Sequence, residues 1–170
     1  MSSWGPSRSL ARWLAGSGGA AAVELALVLP VLMVLAFGFL EVGRLFWTYH
    51  IASSSVRDAA RYAARLGLTC PGNTNSFGSL APVRRLARTG SLIPGAPDLI
   101  PGWTSNGTVQ VQVSCVANAG NALGGAYNGV QNIPVVTVIG TTPYTPLFGD
   151  FIGGMATTTI TVSNQQAWTQ

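Results

Sequence analysis

The chain has 170 residues, 48% of them hydrophobic and only 8% charged, with a formal net charge of +4. Ordinary soluble domains carry about 25% charged residues, so the shortfall calls for an apolar insertion segment, a neutral surface, or both. All the positive charge is arginine, and it falls in separate groups (Arg8 and Arg12; Arg44; Arg57, Arg61 and Arg65; Arg84, Arg85 and Arg88) with no interleaved aromatic stripe, which argues against a nucleic-acid partner.

Residues 1–19 read as a basic leader, with Arg8 and Arg12 and no acid. From Ala20 to Leu40 every residue but Glu24 is uncharged and nearly all are apolar. As a helix this stretch spans roughly 30 Å, close to the hydrocarbon thickness of a bilayer. A membrane-spanning helix is therefore predicted over 20–43, kinked at Pro30, where a backbone hydrogen bond is lost. The arginines before the span place the N-terminus in the cytoplasm and the bulk of the chain outside it.

Three readings compete for this segment. A removable secretory signal would have a shorter apolar run followed by a small-residue site, and the nearest such site, around Val34-Leu35-Ala36, falls inside the run. A plain signal anchor explains length and charge but not Glu24. A prepilin-like segment explains both. A carboxylate at mid-membrane costs about 2.5–3.5 kcal/mol on insertion scales, but Glu24 lies about one turn inside the cytoplasmic end, where water and headgroups lower that cost. The leader ends in Gly18-Gly19, then come Ala20-Ala21-Ala22-Val23, then Glu24 and the apolar run. Substrates of prepilin peptidases look like this, with cleavage between Gly19 and Ala20 leaving Glu24 as the fifth residue of the mature chain. There the Glu is thought to meet the N-terminal amine of a neighbouring subunit, a pairing favoured by low dielectric and selective for register.

Reading forward through GGAAAVELALVLPVLMVLAFGFLEVGRLFWTYHIASSSVRDAARYAARLG, the chain resembles the TadE-like segment of minor pseudopilins of tight-adherence (Tad/Flp-type) pili. The residues that carry the resemblance are Glu24, Pro30, Gly38, Glu41, Gly43 and the Ala-Ala-Arg-Tyr-Ala-Ala-Arg run, within about residues 18–67. The resemblance implies a single-pass protein of the bacterial cytoplasmic membrane that is cut by a prepilin peptidase. It implies partners among membrane lipid, other pilins and pseudopilins, and pilus assembly platform proteins. The alternative is an unprocessed membrane-anchored scaffold or binding protein, TadG-like or unrelated.

Residues 44–67 read as an emergent amphipathic helix ended by Gly67. Val42, Leu45, Phe46, Tyr49, Ala52, Val56, Ala59, Ala60 and Ala63 form its predicted apolar face. Arg57, Arg61 and Arg65 recur at i, i+4, i+8 on another face. They read either as a solvated edge or, together with Glu41 and Arg44, as a candidate interaction face. Trp47 and Tyr49 sit where aromatics favour the headgroup zone.

Residues 68–170 are predicted to form an extracytoplasmic, β-rich domain. Cys70 and Cys115 are the only cysteines, and outside the cytoplasm a disulfide between them is expected. A short helix is expected over Ser79–Thr89, with Pro82 in its first turn and Gly90 as its stop. A loop is expected over Leu92–Gly107. Strands are expected over Thr108–Cys115, Val135–Gly140 and Thr157–Ser163, with Val109, Val111, Val113 and Cys115 on one face. Asn118–Asn132 reads as a long mobile turn and Pro143-Tyr144-Thr145-Pro146 as a second turn. Followed by Leu147-Phe148 and Met155, that turn also resembles the C-terminal pattern of TadE-like proteins. The fold class expected is α+β, a small antiparallel sheet packed on the emergent helix. No cofactor or metal is expected. With Asp98 and Asp150 the only acids beyond residue 67 and His50 the only histidine, no catalytic constellation can be assembled, so the chain reads as a substrate of catalysis and not as an enzyme.

Overall fold

One helix, α1 (Gly18–Ala64), runs for 47 residues through both the apolar segment and the amphipathic one. The computed structural model describes residues 18–66, 70, 79–149 and 156–168; the basic leader up to residue 17, the Gly67 stop and Met155 lie outside them. Pro30 does not end the helix. An 18-residue window of the N-terminal half has mean hydropathy 2.5 and is 0% buried, so α1 is one candidate membrane helix near the N-terminus. Its C-terminal turn tightens, with the N–H groups of Arg65 and Leu66 donating to the carbonyls of Tyr62 and Ala63.

A short helix α2 (Ala81–Thr89) follows. The Ala81 N–H donates to Ser79 Oγ at 3.2 Å, Pro82 occupies the first turn, and Gly90 closes the helix in the left-handed region at φ 67°. The strands β1 (Val109–Ala117), β2 (Asn132–Tyr144) and β3 (Thr158–Ala167) form an antiparallel sheet in the order β1-β2-β3. The α+β expectation is therefore borne out.

The register explains the sheet's shape. Val111 pairs with Val138 and Val109 with Gly140, where β1 ends; β2 continues to Tyr144 against β3 alone. Beyond Gly140 the strand is an edge, which is where a proline such as Pro143 is tolerated. Strict alternation buries Val136, Val138, Gly140, Thr142 and Tyr144 on the side facing α1. β2 is thus longer than the predicted Val135–Gly140, and the first half of the predicted 143–146 turn is strand. The alternation expected in β1 fades: Val109 and Val111 are buried, Val113 half-buried and Cys115 exposed.

The core lies between the sheet, α2 and the C-terminal half of α1. Ala52, Val56, Ala59, Ala60 and Ala63 are fully buried there, whereas Val42, Phe46 and Tyr49 are exposed. The apolar face predicted as continuous is therefore two faces. Its alanine-rich upper part lets the sheet approach closely, and its bulky lower part is left uncovered by the described residues. Trp103, from the segment expected to be only a loop, is fully buried, and its indole N–H donates to Thr108 Oγ1 at 2.8 Å. The Asn118–Asn132 segment is also better ordered than a mobile turn implies. Asn118 is buried, its amide donating to the carbonyls of Tyr127 and Val130 and its oxygen accepting from the Leu123 N–H.

Candidate functional site

The sequence-predicted residues fall into four separate places. Gly19, Ala20 and Glu24 lie in the first two turns of α1, all exposed. A β-carbon at Gly19 would meet nothing within 4 Å. Among the described residues nothing pairs with the Glu24 carboxylate.

Arg57 and Arg61 on α1 and Arg65 in the turn that follows it are all exposed and form a ridge. Arg61 lies 4.0 Å from Asp58, with both side chains about 60% exposed, so this ion pair contributes little. A cleft of about 250 Å³ runs between Arg61, Arg65 and Gln166 at the end of β3.

Cys70 and Cys115 are joined in a disulfide with their Cα atoms 6.1 Å apart, across a sequence separation of 45. The bond fastens the chain just beyond α1 to the edge strand β1.

Glu41 and Arg44 do not range with the arginine ridge. Glu41 is buried at 5% exposure, although its neighbours Leu40 and Val42 are 60% and 49% exposed. Three groups from the far end of the chain converge on it. The Tyr144 hydroxyl donates to Glu41 Oε1 and stands 3.2 Å from the Glu41 carbonyl oxygen. The backbone N–H groups of Leu147 and Phe148 donate to Oε2 at 3.1 and 3.2 Å. The Phe148 ring stacks on Phe37, one helical turn below, at 4.8 Å between centroids. Arg44 holds its guanidinium 5.8 Å from the centre of the Tyr144 ring. A carboxylate with three donors at the end of an apolar helix is a desolvated group made tolerable by hydrogen bonding.

Burial pushes the Tyr144 hydroxyl up to about 12, and the adjoining Glu41 carboxylate adds to the effect both as hydrogen-bond acceptor and as negative charge. Beside this cluster a cavity of about 70 Å³ is walled by Arg44, Thr48, Pro101 and Tyr144, a volume that suits one or two waters. A wider groove lies along Ala117–Asn121 and Gly129–Asn132, and its lining offers hydrogen bonds but no ionisable group.

Sequence reasoning named Glu41 and missed Tyr144, 103 residues away. The sequence signal was weak: burial alternates from Val136 to Tyr144 and sends the phenol to the helix side, but Ile139 is out of phase and the in-phase positions 140 and 142 are Gly and Thr.

Residues 19–61 match the model of the TadE-like protein family, so the resemblance read from the sequence is borne out over that stretch. The match takes in Gly19, Ala20, Glu24, Glu41, Arg44, Arg57 and Arg61, and it covers α1 without the sheet. No curated protein and no solved structure matches the chain.

Proposed function

We propose that this chain, whose residues 19–61 are a TadE-like segment, is a minor pseudopilin that takes part in assembly of a Tad/Flp-type adhesive pilus. The N-terminus lies in the cytoplasm, α1 crosses the bacterial cytoplasmic membrane once, and the sheet domain stands outside. A prepilin peptidase cuts between Gly19 and Ala20, and the partners thereafter are membrane lipid, other pilins and pseudopilins, and the assembly platform. The chain is a substrate of catalysis and not itself a catalyst.

One observation carries the reading. Glu24 is an exposed acid on an otherwise apolar helix face, five residues after Gly19, with no partner among the described residues. A carboxylate left uncompensated at the membrane edge is stabilised by an ammonium at the same depth, and a new N-terminus at Ala20 on a neighbouring copy or pilin supplies one.

Intact mass and N-terminal sequencing of protein taken from its own membranes test the proposal. A mature start at Ala20, abolished by Gly19→Val or by loss of the peptidase, is the expected result. A retained leader would sink the processing claim and leave the second reading, an anchored scaffold, which the uncut apolar helix would equally support.

A further inference from the structure

The loop that follows β2 reaches down α1 and not away from it. Phe148 stacks on Phe37, and Phe37 lies four residues before Glu41, roughly 6 Å closer to the membrane centre along the helix axis. Around it the helix is bare: Phe39 and Leu40 are 75% and 60% exposed. Leu147, beside Phe148, is 67% exposed. Two large apolar side chains of the outer domain therefore sit level with the last turns of the apolar span.

Irregular backbone is excluded from hydrocarbon unless its polar groups are satisfied. Here the N–H groups of both Leu147 and Phe148 are taken up by Glu41 Oε2, and Tyr144 takes up Oε1. The loop removes the exposed charge from Glu41, and Glu41 removes the exposed donors from the loop. The large side chain that this turn leaves exposed is Leu147.

We propose that Leu147 and Phe148 form a second membrane contact, seated among the acyl chains of the outer leaflet beside the end of α1. The bilayer is the occupant because, among the described residues, Leu147 and the Phe37–Phe148 stack adjoin the exposed apolar surface of the span at Phe39 and Leu40. This inference rests on the reading of α1 as membrane-spanning. It adds that the sheet domain is held against the bilayer at two points, so that its tilt relative to the membrane is fixed.

The test uses the full chain in phosphatidylethanolamine–phosphatidylglycerol vesicles. Leu147→Cys, Leu32→Cys in the middle of the span and Leu123→Cys on the distal loop are each labelled with an environment-sensitive fluorophore, and quenching by lipids carrying a nitroxide at a shallow or a deep acyl position is measured. Leu123 is a 46% exposed reference far from the span in sequence, and the native cysteines are held in their disulfide. The expected result is blue-shifted emission at Leu147→Cys, quenched several-fold more by the shallow probe than at Leu123→Cys, with Leu32→Cys quenched most by the deep one. If Leu147→Cys behaves like Leu123→Cys while Leu32→Cys is quenched, the second contact is overturned and the membrane anchor stands. If Leu32→Cys is not quenched, the spanning reading fails and the inference falls with it. Disulfide-linked dimers through Leu147→Cys without lipid quenching would assign the patch to a second copy and overturn the bilayer as occupant.

Discussion

Gly140 and Trp103 are pressed together so closely that a β-carbon at 140 would lie 3.0 Å from Cζ2 of the indole and 2.8 Å from Cγ2 of Val56. β2 therefore lies this close to both Val56 of α1 and the largest core side chain only because residue 140 has no side chain. Gly140→Ala is expected to destabilise the outer domain by about 1–3 kcal/mol through overpacking. Val56→Ala removes the nearer obstacle, so the double variant should lose less than the sum of the two. Denaturant unfolding followed by tryptophan fluorescence in detergent measures both, and strict additivity would refute the contact as the cause.

Glu41 is the hinge pin between the helix and the sheet. Glu41→Ala leaves the Leu147 and Phe148 N–H groups without an acceptor and the Tyr144 hydroxyl with only the backbone carbonyl of residue 41, and should cost about 3 kcal/mol. Tyr144→Phe should cost about 1–2 kcal/mol, and Glu41→Gln, which keeps a carbonyl oxygen, less than Glu41→Ala. A double-mutant cycle between positions 41 and 144 should return a coupling of about 1 kcal/mol or more. Independent effects would mean that the hydroxyl is held by something other than the carboxylate.

The same pair sets an alkaline limit. The Tyr144 hydroxyl is raised from its ordinary 10.0 to about 12, chiefly by burial and then by Glu41. A raised pKa in the folded chain means that the stabilisation is complete below pH 10 and is lost as the pH climbs through about 12. The difference in stability between the parent chain and Tyr144→Phe should therefore be constant below pH 10 and shrink above it. A difference that does not change with pH would contradict this.

The disulfide should matter in proportion to the loop it closes. For a separation of 45 residues the chain-entropy model gives roughly 4 kcal/mol. Replacing Cys70 and Cys115 together with serine should lower the midpoint of thermal unfolding by many degrees, and reductant should do the same to the parent chain. An unchanged midpoint in both would show that the bond adds nothing to the native state.

The arginine ridge should separate folding from assembly. Arg61→Glu with Arg65→Glu alters two exposed side chains, so stability should change by no more than about 0.5 kcal/mol per site. Pilus number per cell, counted by electron microscopy, should fall if the ridge meets a partner. Normal piliation would make it a solvated edge.

Much of this architecture was legible because it is periodic. The apolar run, the arginines at every fourth position and the alternating valines each imply an element through geometry alone. The relationships that join the elements were not legible. Trp103 sits in a stretch whose prolines and glycines signal only a loop, yet it fills the core because the chain folds back over Gly140. Asn118 looked like turn composition and is a buried hub, since its amide satisfies three backbone groups of its own loop. Glu41 and Tyr144 are brought together by the register of β2, which a local pattern hints at but cannot aim at a particular partner. The split of the predicted apolar face likewise depends on where the sheet ends and not on the helix that carries it.

The continuity of α1 has a mechanical consequence. Its 47 residues extend roughly 70 Å, with the bare half and the core-packed half on a single rod. A load drawn along that rod meets the sheet side-on, where Val56 against Gly140 and Glu41 against Tyr144 must slip together, so the domain is stressed in shear and not peeled apart contact by contact. A helix broken at residue 43 would have put a soft joint between pull and core; this one has none.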